Sequence, residues 1–156
     1  MATDREQHRS VEAKIHLGCG SEILDGWTNL DIRPCPGVDV VADVLDGLPF
    51  GSARLIFAEH FIEHFELREA TQLLSECRRV LEPDGVLRLS TPNLDWVWVT
   101  AYASRWTAES ETQAKVDPVQ WRHDDPAAVG CVELNKAFRA WGHRFHFNQA
   151  LLGQVL

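Results

Sequence analysis

The sequence predicts an α/β fold with a doubly wound, mostly parallel sheet. The first observation is a series of short apolar runs, each bounded by Gly, Pro, Asn or Asp, which is the pattern of strands that end in turns. The second is a longer segment, 66–82, in which apolar residues recur at helical spacing. Because the short runs are nearly continuous rather than alternating, the strands are expected to be buried on both faces, as in a parallel sheet covered by helices.

The apolar runs give the strands in chain order. The first run directly precedes two glycines, and the second and third each end next to an aspartate. The last run follows the helix after the segment "EPDG" at 82–85, where Pro83 and Gly85 are expected to end the helix in a turn. The predicted strands are 14–17, 28–32, 38–42, 53–58 and 86–90.

A single domain accounts for the chain. Its 156 residues, 45% hydrophobic and 24% charged, are enough for one α/β core and leave little room for a second. Residues 1–12 are polar and aperiodic and are expected to form a flexible tail, so the domain spans 13–156. Within it, 94–156 is predicted to be a helical, aromatic-rich cap or edge cover, with anchors at Trp121, Phe138, Trp141, Phe145 and Phe147.

Charge and composition exclude several classes of protein. The formal net charge of −8, with no basic run longer than Arg78-Arg79, makes nucleic acid an unsuitable partner. No apolar run reaches the length of a membrane span. The cysteines lack the close pairing of zinc sites, and the N-terminus has no apolar signal segment, so a cytoplasmic protein with reduced thiols is expected.

A glycine loop, Gly18-Cys19-Gly20, follows the first strand. A dinucleotide fingerprint would need a third glycine at position 23, where this chain has Ile23, so a nicotinamide cofactor is disfavoured. In a doubly wound sheet, this loop lies at the same edge as the ends of the second and third strands, which are marked by Asp31 and Asp43. Asp31 could hold ribose hydroxyls and Asp43 could accept from an adenine amine. The alternatives are a plain turn at the glycines, and turn chemistry or helix capping at Asp31 and, with more support, at Asp43.

The order and spacing of these segments resemble the class I S-adenosylmethionine-dependent methyltransferases, which have a Rossmann-like sheet of order 3-2-1-4-5. The matching segments are "IHLGCG", "NLDI", "VADVLDGLPF", "IFAEHFIEHF" and "LLSECRRVLEPDGVLRLSTPN". The resemblance implies S-adenosylmethionine as cofactor and S-adenosylhomocysteine as product. The implied cofactor contacts are Asp31 for ribose; Asp43, Val44, Ile32 and Leu45 for adenine; and Gly18, Cys19, Gly20, Glu59 and His60 for the methionine part. His16 stands where the family commonly has an acid that contacts the cofactor's ammonium.

The resemblance also implies methyl transfer to a small molecule, a glycan or a lipid-linked acceptor. Such a site must align an acceptor with the methyl group, exclude water and in some cases remove a proton. The candidate bases are His60 and Glu59, after the fourth strand, and His143 in "WGHRF". His64 and His146 are expected to be structural histidines.

Two other functions remain open. The segment "HFIEH" at 60–64 fits the His-x-x-Glu-His signature of an inverted-motif zinc protease, with Glu133 as a distant third ligand. It directly follows a predicted buried strand, which favours the methyltransferase, and no metal is assigned.

The other alternative is a truncated, non-catalytic domain that binds the cofactor or a partner protein. The chain ends at Leu156 within what corresponds to the family's last helix, so the final antiparallel strand pair is expected to be missing. The fifth strand would then be an open sheet edge, and a homodimer is the expected way to cover it.

Overall fold

The computed structural model describes residues 13–99 and 126–156. Short 3-10 turns lie at Val44–Asp46, Ile62–His64 and Ala140–Gly142. The strands are β1 (Lys14–Leu17), β2 (Thr28–Asp31), β3 (Val40–Val41), β4 (Ala53–Glu59) and β5 (Leu81–Ser90). The helices of the described residues are α1 (Leu67–Val80), α2 (Leu94–Val97), α3 (Pro126–Arg139) and α4 (Gln149–Val155).

The five strands form one parallel sheet in the order β3-β2-β1-β4-β5, which confirms the predicted fold class and strand order. In the register of β1 and β2, Leu17 lies opposite Leu30, and Leu30 in turn lies opposite Val40 of β3. The direction of strand succession reverses between β1 and β4. A doubly wound sheet binds its ligands beyond the carboxyl ends of the strands, next to such a reversal.

Two strands differ from their predicted bounds by more than one residue. β3 contains only Val40–Val41, although the N–H groups of the flanking Asp39 and Ala42 donate to the carbonyl oxygens of Asn29 and Asp31 in β2. β5 begins at Leu81, directly after α1, rather than at residue 86. The prediction of a turn at 82–85 was therefore wrong, because these residues belong to β5, although α1 does end just before them at Val80.

The chain divides into two compact units. The first consists of the described residues up to Phe57 together with Glu76–Arg88, and the second consists of Ala58–Ser75 and the described residues from Leu89 to Leu156. Buried apolar side chains of the first unit include Ile15, Leu17, Leu30, Ile56 and Val80. Those of the second include Ile62, Ala70, Leu73, Leu74 and Phe147.

The predicted aromatic anchors of segment 94–156 differ in how exposed their rings are. Phe147 is fully buried and packs edge-on against Phe145, at a ring distance of 4.9 Å. Phe138 is 39% exposed and Trp141 is 76% exposed, so neither ring is buried among the described residues, and their role as anchors remains a prediction. Trp141 occupies a kink after α3, where its backbone has a positive φ of 59° and the chain leaves the helix direction. Trp121 lies outside the described residues.

None of the helices in the described residues is long and apolar enough to span a membrane.

Candidate functional site

The loop after β1 folds back onto the end of β2. Gly18 and Gly20 have positive φ values of 63° and 53°, a conformation that glycine adopts without the strain other residues would suffer. Between them, the buried Cys19 donates its backbone N–H to the carbonyl oxygen of Leu30 at 3.1 Å. The two glycines thus allow the backbone of the loop to follow the carboxyl end of the neighbouring strand.

Asp31 ends β2 and holds the same loop with its side chain. Its Oδ2 accepts a hydrogen bond from the Gly20 N–H at 2.8 Å, and its Oδ1 accepts from the Arg33 N–H at 2.9 Å. Burial works to raise the pKa of Asp31, but the N–H groups of Arg33 and Gly20 and the Arg33 guanidinium together lower it below the ordinary value. An ionised carboxylate oxygen has two lone pairs, so Oδ2 can accept one further donor, whereas Oδ1 also accepts from Arg33 Nε–H at 3.4 Å and gains a free lone pair only when that exposed side chain moves.

Asp43 follows β3 and caps the 3-10 turn Val44–Asp46. Its Oδ1 accepts a hydrogen bond from the Leu45 N–H at 2.9 Å. The capping alternative therefore describes one oxygen of this carboxylate correctly. Val44 is buried and Leu45 is half-buried, whereas Ile32 is exposed. Contacts of these residues with an adenine ring remain a prediction.

His16 lies inside the sheet layer of the first unit. Its ring is almost fully buried, stacks on Phe57 at 5.2 Å and donates from Nδ1 to Oδ1 of Asn29 at 3.2 Å. The position that the family commonly gives to an acid is thus occupied by an imidazole that is tied to a neighbouring strand. Its contact with a cofactor ammonium remains a prediction.

Asn29, in β2, is a residue that the sequence reasoning missed. Its side-chain oxygen accepts the Leu24 N–H at 3.0 Å, and its amide nitrogen lies 3.2 Å from the carbonyl oxygens of Leu24 and Trp27 and from Oδ2 of Asp39. The available signal was an amide within a strand that was predicted to be buried on both faces, since a buried amide needs partners. Asn29 holds the connection 18–27 in place.

A second group of polar residues lies in the second unit, after β4. Glu59 and His60 are exposed, and His60 has a positive φ of 47°. Glu63 is completely buried, and its Oε1 accepts a hydrogen bond from His60 Nδ1 at 3.1 Å. The Nε2 atom of His143 lies 4.0 Å from the same oxygen. The structure therefore brings two of the three candidate bases to one carboxylate.

The histidines expected to be structural both bond to backbone carbonyls. His64 donates from Nδ1 to Gly142 at 3.3 Å, and His146 donates from Nε2 to Ala137 at 2.7 Å. Burial, helped by the neighbouring His143, lowers the pKa of His146 below its ordinary value. Imidazoles that are bound to backbone carbonyls in this way are consistent with a structural role.

The segment 60–64 does not form the helix that an inverted-motif zinc protease requires. Ile62–His64 is a 3-10 turn, and His60 precedes it in a left-handed conformation. The two histidines of the protease signature need to lie one turn apart on an α-helix so that both can bind one zinc ion. Glu133, the predicted distant ligand, lies within α3.

Comparison with known proteins gives a family match for the region that contains the glycine loop. Residues 15–89 match the model of a family described as a methyltransferase domain. The match begins in β1, ends in β5 and includes Asp31, Asp43 and the segment from Glu59 to His64. No curated protein matches the chain with significance.

Proposed function

We propose that the region whose residues 15–89 match a methyltransferase-domain family is a class I methyltransferase domain that binds S-adenosylmethionine beyond the carboxyl ends of β1, β2 and β3. The observation that carries the proposal is the hydrogen bond from Gly20 to Asp31, which joins the glycine loop to an ionised carboxylate. Such a carboxylate is a suitable acceptor for two ribose hydroxyls, and the bare backbone at Gly18 and Gly20 allows close approach of the amino-acid part of the cofactor.

The remaining cofactor contacts follow from the ends of the other strands. Asp43 would accept from the adenine amine with its second oxygen, Val44 would contribute its backbone, and Ile32 and Leu45 would flank the ring. Two further contacts, those of His16 and Cys19, are proposed for the methionine part. The exposed Ile32 and the half-buried Leu45 are consistent with apolar groups that a flat ring could cover.

When bound, S-adenosylmethionine supplies an electrophilic methyl group on a positively charged sulfur. The chain must then orient an acceptor and exclude water. We propose that His60 contacts the acceptor, because its side chain is 65% exposed and its Nδ1 is held by Glu63, which leaves Nε2 to accept a hydrogen bond. Glu59 is its exposed neighbour. His143 is a weaker candidate because its side chain is only 9% exposed.

The proposed acceptor is a small molecule, a glycan or a lipid-linked intermediate. The net charge of −8 supports this choice over nucleic acid, because an acidic surface repels a phosphate backbone. An uncharged hydroxyl or amine acceptor meets no such barrier.

Calorimetric titration with S-adenosylmethionine and with S-adenosylhomocysteine tests the proposal. We expect a single site, and we expect Asp31→Ala to weaken binding by about 1–3 kcal/mol because buried hydroxyls would lose their charged acceptor. Asp84→Ala, at an exposed aspartate, is the matched control and should bind like the wild type. Absence of binding by the folded wild-type protein would refute the function, and unchanged affinity in Asp31→Ala would remove Asp31 from the ribose contact.

A further inference from the structure

The second unit contains a carboxylate and two imidazoles that converge on one point. Glu63, His64 and His143 each offer a ligand atom, and these atoms all lie within 4.8 Å of one another. Glu63 is completely buried, and its Oε2 has no hydrogen-bond partner among residues 13–99 and 126–156. A buried carboxylate oxygen without a partner is costly, so this oxygen calls for a cation or a donor in the space that it faces.

The backbone fixes which nitrogen each histidine can offer. His143 donates from Nδ1 to the carbonyl oxygen of Ala137 at 2.9 Å, and His64 donates from Nδ1 to that of Gly142 at 3.3 Å. Because a carbonyl oxygen can only accept, Nδ1 carries a proton in both rings, and in the neutral form of each ring Nε2 has the lone pair that can bind a metal ion. Metal-binding histidines commonly donate their other N–H group to a carbonyl in this way.

The cluster is also held together by the chain itself. The backbone carbonyl oxygen of Glu63 accepts hydrogen bonds from the N–H groups of Arg144 and Phe145, at 2.8 and 3.2 Å. These bonds pin the residues after His143 against the 3-10 turn that carries Glu63 and His64. On the other side, His60 Nδ1 donates to Oε1 of Glu63, the oxygen that lies 4.0 Å from His143 Nε2, and this bond orients the carboxylate.

We propose that the Glu63 carboxylate, His64 Nε2 and His143 Nε2 bind one divalent transition-metal ion, with Zn²⁺ as the best match. Two imidazoles and one carboxylate are a donor set that zinc uses, and three protein ligands leave the fourth position open for water or another ligand. Ligand atoms on a tetrahedral zinc ion lie roughly 3.3 Å apart at bond lengths of about 2.0–2.1 Å, so closing the site needs only small side-chain rotations.

This ligand set differs from that of the zinc-protease signature. In the signature, His60 and His64 would bind the ion and Glu63 would act as a base. In the proposed site, Glu63 is itself a ligand, His143 comes from a distant part of the chain, and His60 is an outer partner that orients the carboxylate. The site does not depend on the methyltransferase function, because no ligand belongs to the loop after β1.

The test is a Zn²⁺ titration of the full-length protein after removal of metal with a chelator, followed by competition with a chromophoric chelator. We expect one equivalent of tightly bound Zn²⁺. His64→Ala and His143→Ala should each lower the affinity by more than about 100-fold, since loss of a mere outer partner already costs about 10–100-fold. His60→Ala should have a smaller effect than either ligand variant.

Two controls separate this site from other metal binding. Glu66→Gln removes a nearby exposed carboxylate, Cys131→Ser removes an exposed thiol, and both should bind Zn²⁺ like the wild type. Circular dichroism verifies folding of every variant, and Co²⁺ added to the wild type should give the intense visible bands of a tetrahedral site. Failure of the folded wild type to bind one equivalent, or unchanged affinity in His64→Ala and His143→Ala, would overturn the proposal.

Discussion

At the scale of single residues, Gly37 sets the turn between β2 and β3. Its φ is 89°, and a Cβ atom at this position would lie 2.6 Å from Cγ1 of Ile23. We expect Gly37→Ala to lower the free energy of unfolding by about 1–3 kcal/mol, because it adds both backbone strain and overpacking. Denaturant unfolding measures the change.

The matched control for this prediction is Gly51→Ala. Gly51 has no neighbour within 4 Å of the added Cβ atom and no positive φ, so this substitution should change stability little or raise it slightly. Equal stability of the two variants would show that Ile23 moves aside and that the turn at Gly37 tolerates a side chain.

For the carboxylates near the glycine loop, the sequence predicts the positions along the chain but not all of the hydrogen bonds. The positions of Asp31 and Asp43 at strand ends, and the capping alternative for Asp43, follow from local spacing. The bonds of Asp31 to Gly20 and Arg33 do not, because they depend on how the loop closes in three dimensions. The burial of Glu63 could not be predicted from the segment "HFIEH", because it depends on chain segments that are far away in sequence.

At the scale of elements, the connection between β1 and β2 is unusual because no helix lies in residues 18–27. The early position of Gly26-Trp27 before the second strand predicts this shortness. The side chain of Asn29 takes the place of a packed helix, because it bonds both to the preceding loop and to Asp39. These hydrogen bonds could not be predicted, because they depend on how the chain folds in three dimensions. A buried amide with several partners supplies the order that a helix would otherwise give.

We expect Asn29→Ala to lower the free energy of unfolding by at least about 1–3 kcal/mol, because it leaves the buried N–H of Leu24 and two carbonyl oxygens without their partner. Affinity for S-adenosylhomocysteine should fall as well, since the same loop contains Gly18 and Gly20. Thermal unfolding and calorimetry measure the two effects.

The control is Asn135→Ala, at an exposed amide that bonds to Cys131 of its own helix turn, and it should be close to neutral. A wild-type unfolding free energy in Asn29→Ala would mean that water replaces the amide without cost.

At the scale of the whole molecule, the sheet ends in β3 on one side and β5 on the other, as far as the described residues show. Hydrophobic patterning predicts the strands themselves, whereas their spatial order followed from the family resemblance, because nothing in a single strand states its neighbours. β5 is the longer of the two edges, and its Val86 is about as exposed as Val41 of β3. A long edge strand favours pairing with another chain.

We propose a homodimer that uses β5. Light scattering at micromolar concentration should then give twice the monomer mass of 17.6 kDa. Val86→Lys should shift the protein toward the monomer, because a charge on an edge strand discourages pairing, whereas Val41→Lys on the opposite edge should not. A wild-type monomer, or equal effects of the two substitutions, would rule out β5 as the interface.

The buried thiol between the two glycines has a consequence for chemical labelling. Burial, and then the charge of Asp31, raises the pKa of Cys19, and burial raises that of Cys77 to about 12, so both thiols are shielded from alkylating reagents while the fold is closed. Cys131, in contrast, is exposed. Cys77 lies in α1 and reacts only after its helix separates from the core, but Cys19 needs no more than a local opening of its loop. The rate at which Cys19 is alkylated therefore measures how often that loop opens.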